Sequence, residues 1–378
     1  MKLFHLSDLH LGKRLNGFSL IADQEYILHQ ILHYIDTENP DAILIAGDIY
    51  DKPIPPAEAI RLFDAFLVEL SARRLEVFLI SGNHDSPERI AFGSKLMQPS
   101  GIHVSPVYDG SLSPISLSDA YGKIDFYLLP FLKPVQVRHF YPEESIESYT
   151  DAIASALTHR QKGHANRSVM LAHQFVTGAI QCESEELSVG GIEQVDVQVF
   201  QEFDYVALGH LHAPQAVSRS TVRYCGTPLK YSFSESSHQK SISVVTLQNA
   251  GQVDVQLLPL KPRLDLLERT GSLDALLHHS FYQSFDRNAY LHITLTDEQE
   301  IPDAIGKLRT IYPNIMKLDY CNTRTARQAA LSSLKPMEKR TPMELFADFY
   351  EMQNNQAPSD TQKEIIQELI TQIWGREQ

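Results

Sequence analysis

The chain opens with MKLFHLSDLHLG (residues 1–12), in which a short apolar run is followed at once by Asp8 and His10. An apolar run of about five residues suits a strand that is buried on both faces, as in a parallel sheet. Loops at the carboxyl ends of such strands converge on the crevice where α/β proteins bind ligands. The stretch therefore predicts an α/β fold with a carboxylate and an imidazole at its binding edge.

The same pattern recurs through the first half of the chain. Short apolar runs predict strands at residues 2–6, 42–46, 77–81, 126–129, 169–172 and 205–208. Residues 23–37 and 57–73 carry apolar side chains at helical spacing, and Pro55 and Pro56 precede the second of these helices. Strands that alternate with helices of this length indicate βαβ units.

The pattern changes after about residue 215. Short alternating strands, as in an antiparallel sheet, are predicted at residues 222–226, 241–246 and 253–258. A strand, a helix and a strand of a small second domain are predicted at residues 288–295, 301–311 and 315–320. Because residues 259–262 have the composition of a linker, we expect domains at residues 1–262 and 263–331, followed by a helical segment at residues 332–378.

The composition limits the classes of function. The 378 residues are 43% hydrophobic and 21% charged, which excludes a mainly disordered chain. Since no apolar run is long enough to cross a membrane, we expect a cytoplasmic protein. Cys182, Cys225 and Cys321 lie too far apart to indicate a disulfide framework or a thiolate zinc site. With a formal charge of −14, a phosphate-rich substrate would have to be held by local cations, metal ions or a partner.

Potential metal ligands are concentrated in five short segments, and most of these segments fall where a predicted strand ends. The segments are Asp8-Leu9-His10, Gly47-Asp48-Ile49-Tyr50-Asp51, Gly82-Asn83-His84-Asp85, His173 and Gly209-His210-Leu211-His212. Their carboxylate, amide and imidazole donors suit Mn, Fe or Zn better than calcium. The glycines would allow tight turns that direct the next side chain onto the metals. Because a carboxylate such as Asp48 can bridge two cations, the pattern predicts phosphoester hydrolysis by a two-metal site.

The order Asp-x-His, Gly-Asp-x-x-Asp, Gly-Asn-His-Asp, His, Gly-His-x-His resembles the motifs of the calcineurin-like metallophosphoesterases. Longer strings resemble a narrower family among them, the bacterial SbcD nucleases. These strings are HLSDLHLGKRL (5–15), LISGNHDSPERI (79–90), FDYVALGHLHAPQ (203–215), YCGTPLKYSFSE (224–235), DAIGKLRTIYPNI (303–315) and TPMELFADFYEMQ (341–353). The resemblance implies an α/β sandwich of two sheets flanked by helices, a small α+β capping domain at residues 263–331, and C-terminal helices.

The resemblance also implies roles for individual residues. The metal ligands would be Asp8, His10, Asp48 and His212 for one ion, and Asp48, Asn83, His173 and His210 for the other. His84 would act on the scissile phosphate without binding metal, with Asp85 as its orienting partner. Apart from the resemblance, position next to these motifs predicts phosphate contacts for Lys13, Arg14 and Arg89, with ordinary surface charge as the alternative.

The activity implied by the resemblance is that of a manganese-dependent nuclease in DNA end processing, repair and recombination. Such enzymes degrade duplex ends from 3′ to 5′ and cut single strands and hairpins endonucleolytically. The chain would form a homodimer and join two copies of the ATPase SbcC in a heterotetramer, associated with the nucleoid when on DNA. ATP would bind the partner, since this sequence has no GxxxxGK[ST] loop. The C-terminal stripe that would dock on SbcC comprises Ile366, Leu369, Ile370, Ile373 and Trp374.

Two alternatives remain open at the level of the sequence. A phosphodiesterase or phosphatase of small nucleotides or phosphoproteins would use the same motifs, because the chemistry is shared and specificity lies around the cleft. A non-catalytic scaffold with this fold would be free to lose ligands, whereas every expected donor is present here. The additional domain and the helical tail favour the nuclease over a small-substrate enzyme.

Overall fold

The structure is a computed structural model, and it describes residues 1–182, 185, 193–249, 251–322, 343–344, 346–347, 350 and 358–374. The chain divides into two compact units, Met1–Leu266 and Leu267–Gln378. The division falls close to residue 262, where the sequence predicts a boundary. Of the predicted C-terminal segment, residues 332–342 lie outside the described residues.

The first unit alternates strands with helices along most of its length. Its strands are β1 (Lys2–Leu6), β2 (Arg14–Leu15), β3 (Phe18–Ser19), β4 (Ala42–Ala46), β5 (Glu76–Ile80), β6 (Ile102–Val104), β7 (Ile115–Asp119), β8 (Gly122–Leu129), β9 (Arg167–His173), β10 (Phe175–Val176), β11 (Gln194–Val195), β12 (Tyr205–Gly209), β13 (Gln215–Val217), β14 (Arg219–Tyr224), β15 (Ser241–Leu247) and β16 (Val253–Pro259). Its helices are α1 (Ile21–Glu38), α2 (Ala57–Ala72), α3 (Pro87–Ile90), α4 (Ser94–Met97), α5 (Pro134–Phe140) and α6 (Tyr149–Thr158).

Two six-stranded sheets can be traced in the described part of this unit. The first has the order β16-β15-β1-β4-β5-β6. In it β1, β4, β5 and β6 pair in parallel, whereas β15 pairs antiparallel with both β1 and β16. The second has the order β13-β14-β12-β9-β8-β7, in which parallel strands lie between antiparallel edges. The α/β class with two sheets flanked by helices is therefore confirmed.

The main core lies between the sheets. Phe78 of the first sheet stacks on Phe126 of the second, with ring centroids 4.2 Å apart. Side chains alternate along each strand, so Leu171 of β9 faces this core while Met170 faces the opposite side. There Met170 belongs to a second core that includes Ile153 of α6. Burial on both faces explains why the central strands are continuous apolar runs rather than alternating ones.

The prediction of antiparallel strands at residues 222–258 was wrong in part. β14 pairs in parallel with β12 in the second sheet, whereas β15 pairs with β1 in the first. Only the pairing of β15 with β16 is antiparallel within this stretch, as expected. Alternation of side chains identifies a strand, but which strand it pairs with depends on the fold of the whole chain.

The second unit contains a small sheet of its own. Its elements are β17 (Leu266–Gly271), α7 (Leu273–Leu277), α8 (His279–Tyr282), β18 (Tyr290–Leu295), α9 (Ala304–Arg309), β19 (Ile315–Tyr320) and α10 (Asp360–Trp374). The sheet order is β17-β18-β19, and Leu308 of α9 packs with Ile293 of β18 in its core. No helix within the described ranges is both long enough and apolar enough to cross a membrane.

Candidate metal centre

The predicted metal ligands follow the carboxyl ends of five parallel strands, three in the first sheet and two in the second. Asp8 and His10 follow β1, Asp48 follows β4, Asn83 follows β5, His173 ends β9, and His210 and His212 follow β12. The backbone joins these loops directly, since the N–H of Asp8 donates to the carbonyl of Gly47 at 3.0 Å. The fold thus gathers ligands from more than 200 residues of sequence.

Asp48 lies at the middle of this cluster. Its Oδ2 is 3.4 Å from Nε2 of His173, 3.7 Å from Nε2 of His10 and 4.0 Å from Nε2 of His84. Ligand atoms of Asp8, Asp48 and His173 lie within 4.8 Å of one another, and so do those of His10, Asp48 and His84. Asp48 is common to both groups, although Asp8 and His173 are predicted for different ions and His84 for neither.

Asn83 follows a strand of the first sheet and lies next to two histidines that come from the second sheet. Its Oδ1 is 2.9 Å from Nε2 of His173 and 3.0 Å from Nδ1 of His210. One amide oxygen and two imidazole nitrogens therefore converge on one position beside Asp48. Oxygen and imidazole donors of this kind are ligands for first-row divalent metals.

The protonation of the buried imidazoles fits metal binding. Burial lowers the pKa of His210 to about 3 and holds the pKa of His10 well below its usual range, so both rings are neutral. Both ring nitrogens of His10 are buried and lack a hydrogen-bond partner within the described part of the chain. Buried polar atoms are rarely left unsatisfied, and neutral imidazole is the form that binds metal. The residues present therefore fit a cation at this position.

The buried carboxylates of Asp8 and Asp48 also favour a positive charge beside them. Burial raises the pKa of Asp8 to about 6. For Asp48 burial acts in the same direction, but neighbouring His173 outweighs it and holds the pKa below its usual range. Burial alone would lower the pKa of His173, yet the charge of Asp48 raises it to about 9. A buried carboxylate pair that draws a proton onto a neighbouring imidazole is equally suited to a divalent cation.

Hydrogen bonds to Nδ1 orient two of the histidines that are predicted as ligands. Nδ1 of His173 lies 2.8 Å from the carbonyl oxygen of Ala46, and Nδ1 of His212 lies 2.9 Å from Oε1 of Glu235. Because a carbonyl and a carboxylate only accept hydrogen bonds, Nδ1 is the donor in both rings. Partners of this kind fix the tautomer and the orientation of ligand histidines.

Four of the predicted ligands have left-handed backbone conformations. The φ angles are 52° at Asp8, 42° at His10, 48° at Asp48 and 105° at His210. Such values are uncommon outside glycine and persist only where the surroundings fix them. Here the N–H of His10 donates to the carbonyl of Asp48 at 2.9 Å, and the N–H of His210 donates to Oδ1 of Asp8 at 3.0 Å. The ligand loops thus hold one another in place.

Three glycines lie against the predicted ligands, for two different reasons. Gly47 has a φ of +87°, and a Cβ there would lie 2.4 Å from Nδ1 of His173. Gly82 has no positive φ, but its Cβ would lie 2.1 Å from Oδ1 of Asp48. Gly209 has no positive φ, but a Cβ there would lie 2.7 Å from Nδ1 of His173 and still closer to the carbonyl oxygen of Ala46. The predicted tight turn therefore applies to Gly47, whereas Gly82 and Gly209 are required by close approach of the backbone to a ligand.

We expect Gly82→Ala to weaken binding of Mn²⁺ by roughly 10- to 100-fold, because the added methyl group must displace the carboxylate of Asp48. Calorimetric titration of the metal-free chain would measure the change. Gly271→Ala is a suitable control, since its Cβ would meet its nearest neighbour only at an ordinary 3.4 Å. Equal affinities in the two variants would contradict the tight packing of Gly82 against Asp48.

The structure places His84 next to the ligands, but Asp85 does not orient its ring. Nδ1 of His84 lies 3.1 Å from the carbonyl oxygen of Asp51, and its backbone N–H donates to Oδ1 of Asp48. The carboxylate of Asp85 instead accepts from three backbone N–H groups, those of Gly82 (2.9 Å), Ile49 (3.1 Å) and Tyr50 (3.0 Å). Asp85 therefore ties two ligand loops together, and the expected pairing with the ring is corrected to Asp51.

The three predicted DNA contacts differ in their surroundings. Nζ of Lys13 is 2.7 Å from Oδ1 of Asp51, which is 3.9 Å from Nδ1 of His10, so Lys13 lies at the margin of the cluster. Arg14 is exposed and donates to the carbonyl of Gly17. Arg89 is exposed on α3.

Sequence reasoning missed residues that hold the ligand loops from outside the motifs. Gln24 of α1 is buried, donates from Nε2 to the carbonyl of His10 at 2.7 Å, and accepts from the N–H of Gly12 at 2.9 Å. Buried Glu185 accepts from the N–H of His212 at 2.6 Å. Within the sequence, Gln24 is only a polar residue in an amphipathic helix. Glu235 ends a string quoted for family resemblance, but nothing local assigns its role.

Comparisons with known proteins agree with the motifs. Residues 1–214 match the family described as Calcineurin-like phosphoesterase, and residues 262–354 match the Type 5 capsule protein repressor C-terminal domain, SbcD_C. The SbcD component of the SbcCD nuclease from Staphylococcus epidermidis is 33% identical over 381 residues, covering all of both chains. Its namesake from Staphylococcus saprophyticus is 34% identical over 322 residues, covering 84% of each chain.

Among solved structures, TT1561 of Thermus thermophilus matches over 68% of this chain and 98% of its own, at 13% identity. Its TM-score is 0.37. The family matches and the full-length relative confirm the resemblance seen in the motifs. This chain therefore belongs to the calcineurin-like phosphoesterases and, within them, to the SbcD family.

Proposed function

We propose that this chain is the nuclease subunit of an SbcCD-type complex, which hydrolyses phosphodiester bonds of DNA at a two-metal centre. The observation that carries the proposal is the convergence of Asp8, His10, Asp48, Asn83 and His173 with the two histidines that follow β12. Buried imidazoles, of which those of His10 and His210 are neutral, and a shared carboxylate form a donor set for two divalent ions. Mn²⁺ fits these donors and is the metal that the family resemblance implies.

The proposed ligand sets follow the two sides of Asp48. Asn83, His173 and His210 would hold one ion together with Asp48, which is supported by the distances to Oδ1 of Asn83. Asp8, His10 and His212 would hold the other with the same Asp48, and this set is supported by the unsatisfied nitrogens of His10. When bound, such a pair of ions activates water and stabilises negative charge on the phosphate oxygens.

His84 is proposed to transfer a proton to the leaving oxygen. Its side chain is 22% exposed, whereas those of His10 and His173 are at most 1% exposed, so His84 lies at the open side of the cluster. Because a carbonyl oxygen only accepts hydrogen bonds, Nδ1 donates to Asp51 and Nε2 is the other nitrogen, 4.0 Å from Oδ2 of Asp48. In the imidazolium form, Nε2 would give its proton to the leaving oxygen of a phosphoester and leave a neutral ring that keeps Nδ1–H.

Exposed apolar side chains support the proposed assembly. Ile60, Phe92 and Leu96 are exposed and follow the second and third ligand loops in sequence, and we propose that they contribute to a homodimer. On α10, Leu369 of the predicted stripe is exposed and Ile366 and Ile370 are half-buried. Ile365, one turn before Leu369, is a further exposed apolar side chain, and together they suit docking of this helix on SbcC. The side chains of Ile373 and Trp374, which complete the predicted stripe, lie outside the described residues. ATP dependence would enter through the partner.

The test of the proposed function is degradation of an end-labelled blunt duplex by the purified chain in Mn²⁺, with Mg²⁺ and chelator controls and with SbcC plus ATP added. We expect stepwise shortening from the 3′ ends in Mn²⁺, and cleavage of a hairpin substrate. An intact duplex under every condition, together with hydrolysis of a small phosphodiester, would favour the small-substrate alternative. Protein purified without chelator that contains no transition metal would favour the scaffold.

The double variant Arg14→Gln/Arg89→Gln should bind duplex DNA more weakly, because two exposed cations near the centre are lost. The slope of log affinity against log salt should fall by about 2, at about 0.9 for each lost phosphate contact. Fluorescence anisotropy at several salt concentrations would measure it. Lys123→Gln removes an exposed cation at the start of β8 and serves as the control. An unchanged slope would show that these arginines do not contact phosphate.

A further inference from the structure

Behind His212 lies a buried polar network that the ligand motifs do not include. Glu235 is fully buried, and its Oε1 accepts from Nδ1 of His212 at 2.9 Å. Nζ of Lys240, also buried, donates to Oε2 of Glu235 at 2.6 Å, to Oγ1 of Thr227 at 2.7 Å and to the carbonyl of His212 at 2.8 Å. Lys240 thus bonds directly to the backbone of His212, and Glu235 links Lys240 to the imidazole ring of His212.

The network is fully paired and charged. An ammonium group has three donors, and all three of Lys240 have acceptors. Burial raises the pKa of Glu235, but His212 and Lys240 outweigh this effect and hold the pKa below its usual range, so the carboxylate is ionised. Buried ion pairs are costly unless they are fully hydrogen-bonded, as this one is.

The same network could be mistaken for a third cation site. Cys182, His212 and Glu235 offer ligand atoms within 4.8 Å of one another. However, the ammonium of Lys240 already lies 2.6 Å from the carboxylate and supplies the positive charge that the carboxylate requires. A further cation there would face Lys240 at short range. The geometry therefore favours a supporting role for Glu235.

We infer that Glu235 is a positioning residue, which fixes His212 as the Nδ1–H tautomer so that Nε2 is its ligand atom, and that Lys240 holds Glu235 in place. The inference rests on the metal ligands given under the proposed function. It predicts that removing the hydrogen-bond acceptor at position 235 lowers the affinity for the metal ion that Asp8, His10 and His212 would hold. The ion held with Asn83 should be affected much less, because Glu235 and Lys240 bond to His212, Thr227 and each other rather than to Asn83, His173 or His210 in the described part of the chain.

A matched pair of double variants separates this hydrogen bond from charge and packing. Glu235→Gln/Lys240→Met keeps an oxygen that can accept from Nδ1 of His212, whereas Glu235→Met/Lys240→Met has a side chain of similar shape without an acceptor. Both variants remove the buried charges together, which avoids leaving one ion unpaired. Asp119→Asn, which disrupts an ion pair with Arg167 at the opposite end of β9 from His173, is a control outside the centre.

Each full-length protein would be stripped of metal and titrated calorimetrically with Mn²⁺, and its Tm would be measured. In Glu235→Met/Lys240→Met we expect one of two binding events to weaken by about 10- to 100-fold, with rescue in Glu235→Gln/Lys240→Met. Equal affinities in the two double variants would overturn the inference, as would parallel loss of both events with a lower Tm. A wild-type chain that binds no metal would instead overturn the proposed function.

The tautomer of His212 can also be measured by NMR on the unaltered protein, which does not depend on the folding of a double variant. In the chain labelled with ¹⁵N-histidine, and with the signals of His212 assigned through His212→Gln, NMR shifts report which ring nitrogen carries the proton. The expected tautomer of His212 in the metal-free protein is Nδ1–H. A proton on Nε2 alone would show that Glu235 does not set the tautomer.

Discussion

Asp48→Asn should remove detectable turnover, because this carboxylate is the group shared by the two proposed ligand sets. Bound metal ions contribute several kcal/mol of transition-state stabilisation, and each 1.4 kcal/mol or so is a factor of ten in rate. We therefore expect a fall of at least about 10³-fold in hydrolysis of both duplex DNA and a small phosphodiester. Asparagine preserves the shape of the side chain but lacks the charge that draws a proton onto His173.

Metal analysis should accompany the Asp48→Asn assay. Calorimetric titration with Mn²⁺ is expected to show that both binding events are weakened, since His10 and His173, proposed for different ions, lie 3.7 and 3.4 Å from Oδ2 of Asp48. Asp64→Asn makes the same chemical change on the exposed side of α2 and should leave binding and turnover unchanged. Full retention of one binding event would show that Asp48 serves a single ion and does not bridge two.

His84→Ala should separate proton transfer from metal binding. Loss of a general acid lowers rates by about 10²- to 10⁴-fold, and we expect a loss of this size with both ions retained. The geometry makes the test informative, because Nε2 of His84 lies 4.0 Å from Oδ2 of Asp48 and could otherwise be a ligand. Turnover and Mn²⁺ affinity would be measured on the same preparation.

The outcome of His84→Ala assigns the role of this ring. His29→Ala, an exposed histidine on α1, is the matched control and should resemble the unaltered chain. Equal loss of metal and of turnover would make His84 a ligand and contradict its proposed role. A substrate with a leaving group that needs no protonation, such as a nitrophenyl phosphodiester, should lose less rate than DNA.

The chemistry of the site was predictable from local sequence. Metal binding needs particular donor atoms, and the five segments carry them at the ends of apolar runs that do form strands β1, β4, β5, β9 and β12. Burial on both faces of a sheet requires continuous apolar runs, so these strands and the helices between them have strong signals. The family matches confirm the interpretation of those motifs, whereas the role of each residue remains a proposal.

The sequence by itself therefore determined the α/β class, the family and the side chains available for chemistry, because these depend on residue types at short spacing. Only the tertiary structure decided the left-handed backbone at Asp8, the attachment of Asp85 to its neighbouring loops and the contact of Glu235 with His212. The physical reason is that hydrogen bonds between distant residues fix these features. The N–H of His210 that donates to Asp8, for example, lies 202 residues away along the chain, and no local pattern encodes that distance.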